Sequence, residues 1–258
     1  MDAYGDFAYI YDRFMEEVPY EKWADLLASL IDSYGDGRPH DEISVTDLGC
    51  GTGRLTSLLN KKGFLMTGVD LSTDMLSVAM ERNRTEGEEI LYINQDMLEL
   101  ELLERADVIL SSFDSINYIV TNEEMITVFS RIRENLKPNG LLLFDFNTVA
   151  KYGNEIGDRT IAEDRGDCAF IWENFYDPET HINEYDITFF AEEPSVKTGS
   201  GEPLFRRFTE THIQRGYTLS EMKEFLERAG LRFVTALDSD TRKAPDEKSG
   251  RIHLVARA

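Results

Sequence analysis

The chain has 258 residues, a formal net charge of −22 and a pI near 4.5, so repulsion disfavours nucleic acid and anionic membrane surfaces as partners. Its two cysteines, Cys50 and Cys168, are too few for a disulfide framework, and no apolar run approaches the length of a membrane span. The stretch 1–11 is acidic and aromatic rather than a signal peptide, and we expect a cytoplasmic protein.

The first forty residues predict two helices. Aromatic and apolar residues at helical spacing indicate a short amphipathic helix over residues 3–17. Pro19 suits a first helical position, and the apolar spacing that follows predicts a second helix ending near Gly35. The aromatic stripe of the first helix is compatible with simple packing into a core.

The stretch 45–55 begins as a strand and continues as a glycine-rich turn into a helix. Glycine occupies every second position of the turn, at Gly49, Gly51 and Gly53. Such a turn presents backbone N–H groups to a ligand without intervening Cβ atoms. The dinucleotide fingerprint would require glycine at position 54, where Arg54 stands. With Asp47 the pattern is D-x-G-x-G-x-G.

Two acids follow the next two apolar runs. Asp70 ends the run 64–69, and Asp96 follows the run 90–94. An acid at the tip of a second parallel strand can accept hydrogen bonds from both hydroxyls of a ribose. Each acid could instead be a helix cap, since Ser72 begins a helix. The joint spacing of glycines and acids at three successive strand ends favours a ligand site.

This combination resembles the class I methyltransferases that use S-adenosylmethionine. The resemblance implies S-adenosylmethionine as the cofactor and S-adenosylhomocysteine as the product. It also implies that the acid after the third strand contacts the adenine amino group, while the next backbone N–H reaches the ring. The implied cofactor-binding residues are Asp47, Gly49, Cys50, Gly51, Gly53, Asp70, Leu71, Gln95, Asp96, Met97 and Phe113.

Strands and helices continue to alternate as far as residue 147, which predicts a parallel sheet with helices on both sides. The predicted elements are a helix over 73–84, a strand over 106–110, a helix from a Thr121/Glu124 capping box to about Asn135, a turn over 137–140 and a strand over 141–146. The expected fold class is α/β: a doubly wound, seven-stranded, mostly parallel, Rossmann-like methyltransferase sheet with an inserted antiparallel β cap.

The segment 150–216 has a different pattern. Alternating residues over 168–176, 182–191 and 204–215 predict an antiparallel sheet inserted into the main fold. Thr218 and Glu221 form a second capping box, which starts a helix followed by strands over 231–237 and 252–256. The resemblance implies that these strands form a hairpin containing the one antiparallel member of the main sheet.

We therefore expect a cofactor-binding domain over 1–149 and 217–258, with 1–40 as an N-terminal helical cap and 150–216 as an inserted sheet. Because the insertion follows the carboxyl end of the fifth strand, it is expected to cover the acceptor pocket. The alternative is a dimerisation surface formed by exposed strand edges. Both a monomer and a homodimer are compatible with the sequence.

Residues after the fourth strand lie where the cofactor methyl group is expected to point. They include Asp114 and Tyr118, and the resemblance to sugar amine N-methyltransferases and uncharacterised bacterial relatives adds Tyr11, on a helix that folds over the cofactor. In the sugar enzymes a histidine occupies the position of Tyr118, which puts the acceptor in doubt. Tyr118, Asp114 and Tyr11 are the candidate catalytic residues. A base is needed only for an acceptor that arrives protonated.

Three function classes remain: a methyltransferase for a small molecule, a methyltransferase for protein or RNA, and a non-catalytic cofactor-binding or interaction module. The net charge favours the first over the second. Other chemistries lack their motifs. The four histidines show no metal-ligand spacing, and no G-x-S-x-G nucleophile motif occurs, so we expect neither a metal site nor a hydrolase.

Overall fold

The computed structural model describes residues 10–197, 199 and 201–258, and within them eleven strands form two sheets. In chain order the strands are β1 (Ser44–Leu48), β2 (Leu65–Asp70), β3 (Leu91–Asn94), β4 (Ala106–Ser111), β5 (Leu136–Asn147), β6 (Thr160–Asp164), β7 (Cys168–Asp177), β8 (Ile182–Lys197), β9 (Pro203–Arg215), β10 (Arg232–Asp238) and β11 (Arg251–Arg257). The α-helices are α1 (Tyr20–Tyr34), α2 (Arg54–Lys61), α3 (Thr73–Glu86), α4 (Asn122–Asn135) and α5 (Leu219–Arg228). Short 3₁₀-helices cover His40–Glu42, Met97–Glu99 and Ser115–Tyr118, and a π-helix covers Lys151–Ile156.

The larger sheet has the order β10-β11-β5-β4-β1-β2-β3. Its strands are parallel except β11, which pairs antiparallel with both β5 and β10. The seven-stranded, mostly parallel sheet and its single antiparallel member are thus confirmed. After β1 the chain builds outward through β2 and β3, then returns to place β4 on the other side of β1. This reversal creates a crevice at the carboxyl ends of β1 and β4, where open α/β sheets bind their ligands.

Both faces of this sheet are covered, because its central strands are apolar on both sides. On β4, Val108 belongs to the core beneath α1 and α2, whereas Ile109 belongs to the core beneath α4 and α5. Leu27 and Leu59 fill the first core, and Phe129 is among the residues that fill the second. Each such side chain contributes about 1.5–3 kcal/mol on burial, so the two cores fix the strand ends that carry the site.

The helix boundaries follow from local capping. Ser72 accepts a hydrogen bond from the Met75 N–H at the start of α3, and the predicted Thr218/Glu221 capping box is present at α5. Pro19 lies one position earlier than predicted, as the N-cap of α1. Among the described helices, none is long and apolar enough to cross a membrane.

The smaller sheet has the order β6-β7-β8-β9, and all of its pairings are antiparallel. It lies between β5 and α5 in the chain, as the change of pattern at residue 150 predicts. Strand β6 and the π-helix were not predicted, since β6 is short and mostly exposed and has no apolar alternation.

Two other boundaries differ from the sequence-based predictions. The predicted turn over 137–140 lies inside β5, where Asn139 has a φ of 64° and the register with β4 shifts between the pairs Ala106–Leu136 and Val108–Leu141. Of the predicted first helix, residues 3–9 lie outside the described residues, and residues 10–14 are helical.

Candidate functional site

The glycine turn joins β1 to α2, and its three glycines have φ values between 55° and 79°. A Cβ at Gly49 would lie 2.8 Å from the Ser115 side chain, and one at Gly53 would collide with the Tyr92 hydroxyl. A Cβ at Gly51 would meet no atom within 4 Å. The outer glycines are therefore required by packing, whereas the middle one faces open space into which a ligand fits.

Asp70, at the carboxyl end of β2, is bonded directly to this turn. Its carboxylate accepts hydrogen bonds from the backbone N–H groups of Gly51, at 2.7 Å, and Ser72, at 2.8 Å. Burial raises the pKa of Asp70, and these backbone hydrogen bonds lower it. The following Leu71 is 67% exposed, and the Asn94 side chain donates to its carbonyl oxygen at 2.7 Å. The predicted ribose-binding acid and the glycine turn thus form one unit.

Asp47 and Cys50 lie beneath the turn. Asp47 is buried, and Thr56 of α2 donates to its carboxylate at 2.6 Å. Burial raises the pKa of Asp47 to about 7, and the charge of Asp70 adds to this effect while the Thr56 hydrogen bond opposes it. Burial likewise raises the pKa of the Cys50 thiol, which stays protonated. The side chain of Asp47 fixes the start of α2, and its assignment to the cofactor stays a prediction.

The end of β3 adds the third part of this edge. Asp96 accepts a hydrogen bond from the Leu98 N–H at 2.9 Å and starts the 3₁₀-helix that contains Met97. The side chain of Gln95 is used within the loop, since its Oε1 accepts from the Glu101 N–H at 3.0 Å. The Gln95 backbone N–H donates to the Asp70 carbonyl at 3.0 Å. The ends of β1, β2 and β3 are therefore connected by hydrogen bonds along one edge.

The loop after β4 has an uncommon backbone. Phe113 and Asp114 have φ values of 58° and 53°, in the left-handed region that non-glycine residues rarely adopt. The buried Asp145 of β5 holds them there, accepting from their N–H groups at 2.7 and 3.1 Å. Burial raises the pKa of Asp145 to about 6, opposed by Arg251 and reinforced by Asp114. Phe113 also packs against Tyr20 and Trp23 of α1.

Arg251, the first residue of β11, closes this network. Its guanidinium donates to Asp145 at 2.8 Å and to Asp114 at 2.5 Å. The second oxygen of Asp114 accepts from Gln214 of β9 at 2.9 Å. Both carboxylate oxygens of Asp114 are thus engaged. The sequence analysis missed these partners, since Arg251 is 137 positions from Asp114 and carries no local signal.

Tyr118 meets two residues of the smaller sheet. Its hydroxyl lies 3.2 Å from the Tyr185 hydroxyl and 3.1 Å from Nδ1 of His212. The Tyr118 residue is 45% exposed, but the atoms packed around it shield its hydroxyl from water and raise its pKa; the hydrogen bond with Tyr185 opposes this effect, and the charges of Asp114 and Glu210 add to it. Burial also raises the pKa of Tyr11, and the neighbouring Tyr20, Asp114 and Tyr118 raise it further. The three predicted catalytic residues therefore share one region.

The helical segment 10–14 bridges the glycine turn and the smaller sheet. Asp12 accepts from the Thr52 hydroxyl at 2.6 Å and pairs with Arg82 of α3. On the other side, Arg13 pairs with Asp167 at 2.5 Å, and the Phe14 ring packs on Phe170 of β7 at 5.0 Å. This segment thus lies across the front of the crevice.

The smaller sheet is attached directly above the strand ends. Asn117 donates through Nδ2 to the Arg215 carbonyl at 2.6 Å, and Tyr152 donates to Gln214 at 2.8 Å. Within the described residues, Trp172 Nε1 on this sheet and Ser111 Oγ at the end of β4 are buried without a hydrogen-bond partner. Buried polar atoms are nearly always satisfied, so these two atoms are exceptions to the usual pattern.

In a comparison with known proteins, the chains similar to this one are methyltransferases. The profile of the family described as "Methyltransferase domain" matches residues 45–140. A Geobacillus sp. (strain WCH70) protein named "Putative methyltransferase" is 34% identical over 255 residues, which cover 99% of each chain.

Solved structures agree with these sequence comparisons. An S-adenosylmethionine-dependent methyltransferase from Clostridium acetobutylicum superposes with a TM-score of 0.83 at 27% identity, over 99% of each chain. A sugar N-methyltransferase from Streptoalloteichus shares the fold, with a TM-score of 0.75 at 16% identity over 97% of this chain and 93% of its own.

Proposed function

Because the chain belongs to the family of S-adenosylmethionine-dependent methyltransferases, we propose that it transfers a methyl group to a nucleophilic nitrogen or oxygen of a small-molecule acceptor. The observation that carries this proposal is the attachment of the smaller sheet above the strand ends through Asn117, Tyr118 and Gln214. Strand ends covered in this way favour a small-molecule acceptor over a folded protein or RNA.

The cofactor fits the edge formed by β1, β2 and β3. The open space at Gly51 suits the approach of an amino-acid moiety to the backbone, and the fixed carboxylate of Asp70 suits the ribose hydroxyls. One oxygen of Asp96 is bonded to the Leu98 N–H, and the other is assigned to the adenine amino group. Leu71 and Met97 flank the adenine. Bound S-adenosylmethionine supplies a methyl group that its sulfonium already activates.

The residues after β4 are assigned to the acceptor. Since burial raises the pKa values of Tyr118 and Tyr11, their hydroxyls stay protonated at neutral pH and orient the acceptor by hydrogen bonds. Asp114 is engaged by Arg251 and Gln214, and it positions the loop that carries Tyr118. Orientation of the acceptor and exclusion of water then supply most of the acceleration.

The third function class, in the form of an interaction module that has lost its cofactor site, is disfavoured by the space in front of the glycine turn. In a module that had lost its cofactor site, side chains would fill that space. Here a Cβ added to Gly51 meets nothing within 4 Å.

Methyl transfer from deuterated S-adenosylmethionine into a bacterial extract tests the proposed function. The extract is separated by size into a small-molecule fraction and a macromolecular fraction, and each is analysed by mass spectrometry. We expect enzyme-dependent deuterated methyl groups in the small-molecule fraction. Label confined to protein or RNA would contradict the proposed acceptor class, and no label in either fraction would contradict methyl transfer.

A further inference from the structure

Tyr118 is the first member of a hydrogen-bonded chain that continues into the smaller sheet. Its hydroxyl lies 3.1 Å from Nδ1 of His212, and Nε2 of the same imidazole lies 3.3 Å from the carboxylate of Glu210. Tyr185 lies on the other side of the Tyr118 hydroxyl, at 3.2 Å. The hydrogen-bonded chain is therefore Tyr185, Tyr118 and His212, and Glu210 is the ion-pair neighbour of His212 Nε2.

The sheet holds this chain in place. His212 and Glu210 are two positions apart on β9, so their side chains project from the same face. The His212 ring stacks on Tyr185, with 5.0 Å between centroids, and Trp172 packs against Tyr185 edge to face. The side chains of His212 and Glu210 are only 18% and 12% exposed. Such packing fixes both ring nitrogens relative to their partners.

One arrangement of protons satisfies the hydrogen bonds of Tyr118. The proton of neutral His212 is then on Nε2, the nitrogen that lies 3.3 Å from the Glu210 carboxylate. Nδ1 is then an acceptor for the Tyr118 hydroxyl, and the Tyr118 oxygen accepts from Tyr185. A phenol oxygen has two lone pairs, so Tyr118 retains one acceptor position for a further donor.

We propose that His212, held by Glu210, receives through Tyr118 the proton that the acceptor loses on methylation. The inference rests on the proposed function, and it adds that the acceptor is a protonated amine or a hydroxyl. A protonated amine first loses its proton to the Tyr118 oxygen, because only the freed lone pair can attack, whereas a hydroxyl loses its proton as the new bond forms. In both cases the Tyr118 proton moves to Nδ1. As the acceptor atom bonds to the methyl carbon, the carbon–sulfur bond breaks and its electron pair stays on sulfur.

The resulting imidazolium is stabilised by the Glu210 carboxylate and later releases its proton to water. The phenol is restored in the same step, so it never exists as a free phenolate. This explains how Tyr118 can take part although burial raises its pKa. His212 and Glu210 act through Tyr118 and are positioning residues in this scheme.

The first test needs no acceptor. Nitrogen-15 NMR of the histidine-labelled protein with S-adenosylhomocysteine reports the tautomer of each imidazole, and His212→Gln assigns the signal. Neutral His212 should carry its proton on Nε2, and Tyr118→Phe, which removes the hydroxyl that donates to Nδ1, should reduce the population of this tautomer. Protonation on Nδ1 in the wild type, or a tautomer population unchanged by Tyr118→Phe, would overturn the relay.

The second test is the pH profile of kcat/KM on an acceptor found in the extract screen. His212→Gln and Tyr118→Phe should each reduce turnover by about 100-fold, and each should remove the decrease of kcat/KM at low pH. The affinity of both variants for S-adenosylhomocysteine should be unchanged. Among the described residues, the titratable groups facing His212 include Tyr118, Tyr185 and Glu210, with Asp114 beyond Tyr118. A His212→Gln variant that keeps wild-type turnover and the decrease of kcat/KM at low pH would overturn the proposal.

His181→Asn is the matched control, since it removes a histidine from the turn between β7 and β8, outside the hydrogen-bonded chain of Tyr118. His181 has a φ of 61°, which asparagine tolerates, so the variant should keep the wild-type profile. Because the NMR test is independent of methyl transfer, failure of the relay is distinguishable from failure of the proposed function.

Discussion

The acids of the crevice divide into two kinds at the residue scale. Asp70 and Asp96 lie at strand ends, and their carboxylates accept hydrogen bonds from backbone N–H groups. Asp47 and Asp145 are buried below the edge, where burial raises their pKa values. The first pair is suited to bind a ligand, and the second pair holds the loops that present it.

Asp70→Ala should weaken the binding of S-adenosylhomocysteine at least tenfold, because each lost charge-assisted hydrogen bond to the ribose is worth about 1.5–3 kcal/mol. Calorimetric titration measures the change, and circular dichroism checks the fold. Asp74→Ala, in the first turn of α3, is the matched control and should bind normally. Wild-type affinity in a folded Asp70→Ala protein would refute the ribose assignment.

Asp47 predicts a pH dependence of stability. Its folded-state pKa, about 7, lies above the ordinary carboxyl value, so its stabilising contribution is complete below about pH 4 and is lost as the pH rises through about 7. Asp47→Asn should remove this dependence. As the pH rises from 5 to 8, the free energy of unfolding of the variant should therefore increase by about 2 kcal/mol relative to that of the wild type. Urea denaturation at the two pH values measures it.

Asp107 supplies the control for this measurement. Burial raises its pKa, but hydrogen bonds from Lys137, Ser44 and Arg38 outweigh that effect and lower it. Asp107 is ionised in the folded and the unfolded state at both pH 5 and pH 8. The free energy of unfolding of Asp107→Asn should therefore differ from that of the wild type by the same amount at the two pH values. An Asp47→Asn protein that behaves like Asp107→Asn would argue against the raised pKa.

At the scale of elements, the site depends on the loop between β4 and α4. Its left-handed residues, Phe113 and Asp114, are held by Asp145 of β5, and Arg251 of β11 connects both acids. The antiparallel strand β11 thus contributes to the site through its first residue. Without Arg251 the two carboxylates would face each other without a counter-charge.

Arg251→Met should therefore destabilise the protein by about 3–5 kcal/mol. Adding Asp145→Asn to it should reduce that loss, because one of the uncompensated charges disappears. Urea denaturation of the two single variants and the double variant gives the coupling energy. Arg232→Met, at an exposed position on β10, is the control and should change stability by about 0.5 kcal/mol or less. Additive effects would show that Arg251 and Asp145 do not act together.

The sequence predicts the elements whose signals are local. Strands β1 to β5 carry apolar runs, and the glycines and acids at their ends have fixed spacing, so the cofactor edge follows from the sequence. Strand β6 was missed because it has no apolar alternation. The turn predicted over 137–140 falls inside β5, at the place where the register with β4 jumps from Ala106–Leu136 to Val108–Leu141.

The acceptor side is less predictable because its residues are distant in sequence. Arg251 and Gln214 reach Asp114 across 137 and 100 positions, and no local pattern marks either of them. One signal was available: the alternation of β9 places Glu210, His212 and Gln214 on one face. Their proximity to Tyr118 required the packing of the smaller sheet onto the strand ends.

At the scale of the whole molecule, the cofactor edge and the smaller sheet occupy different halves of the crevice. A variant with 150–216 replaced by a short Gly/Ser linker should, if this sheet serves the acceptor, bind S-adenosylhomocysteine normally and lose turnover. Calorimetry, turnover and sedimentation measure the three properties. A wild-type dimer that becomes monomeric on deletion with full turnover would instead make the sheet an assembly surface.

If the deletion variant does not fold, substitutions on the two faces of the sheet make the same distinction. Trp172→Ala, beside Tyr185 on the inner face, should reduce turnover and leave S-adenosylhomocysteine binding unchanged. Phe175→Ala, at a 60% exposed position on the outer face, should affect neither. Equal turnover in both variants would count against an acceptor site under the sheet.

The most direct test of the central claim is calorimetric titration of the intact protein with S-adenosylhomocysteine and, separately, with NAD. The third glycine of the turn comes one residue early, and Arg54 occupies the position that a dinucleotide fingerprint requires to be glycine. Acids follow at the ends of β2 and β3. These features predict clear binding of S-adenosylhomocysteine and weak or undetectable binding of NAD. Tight binding of NAD together with no binding of S-adenosylhomocysteine would contradict the account.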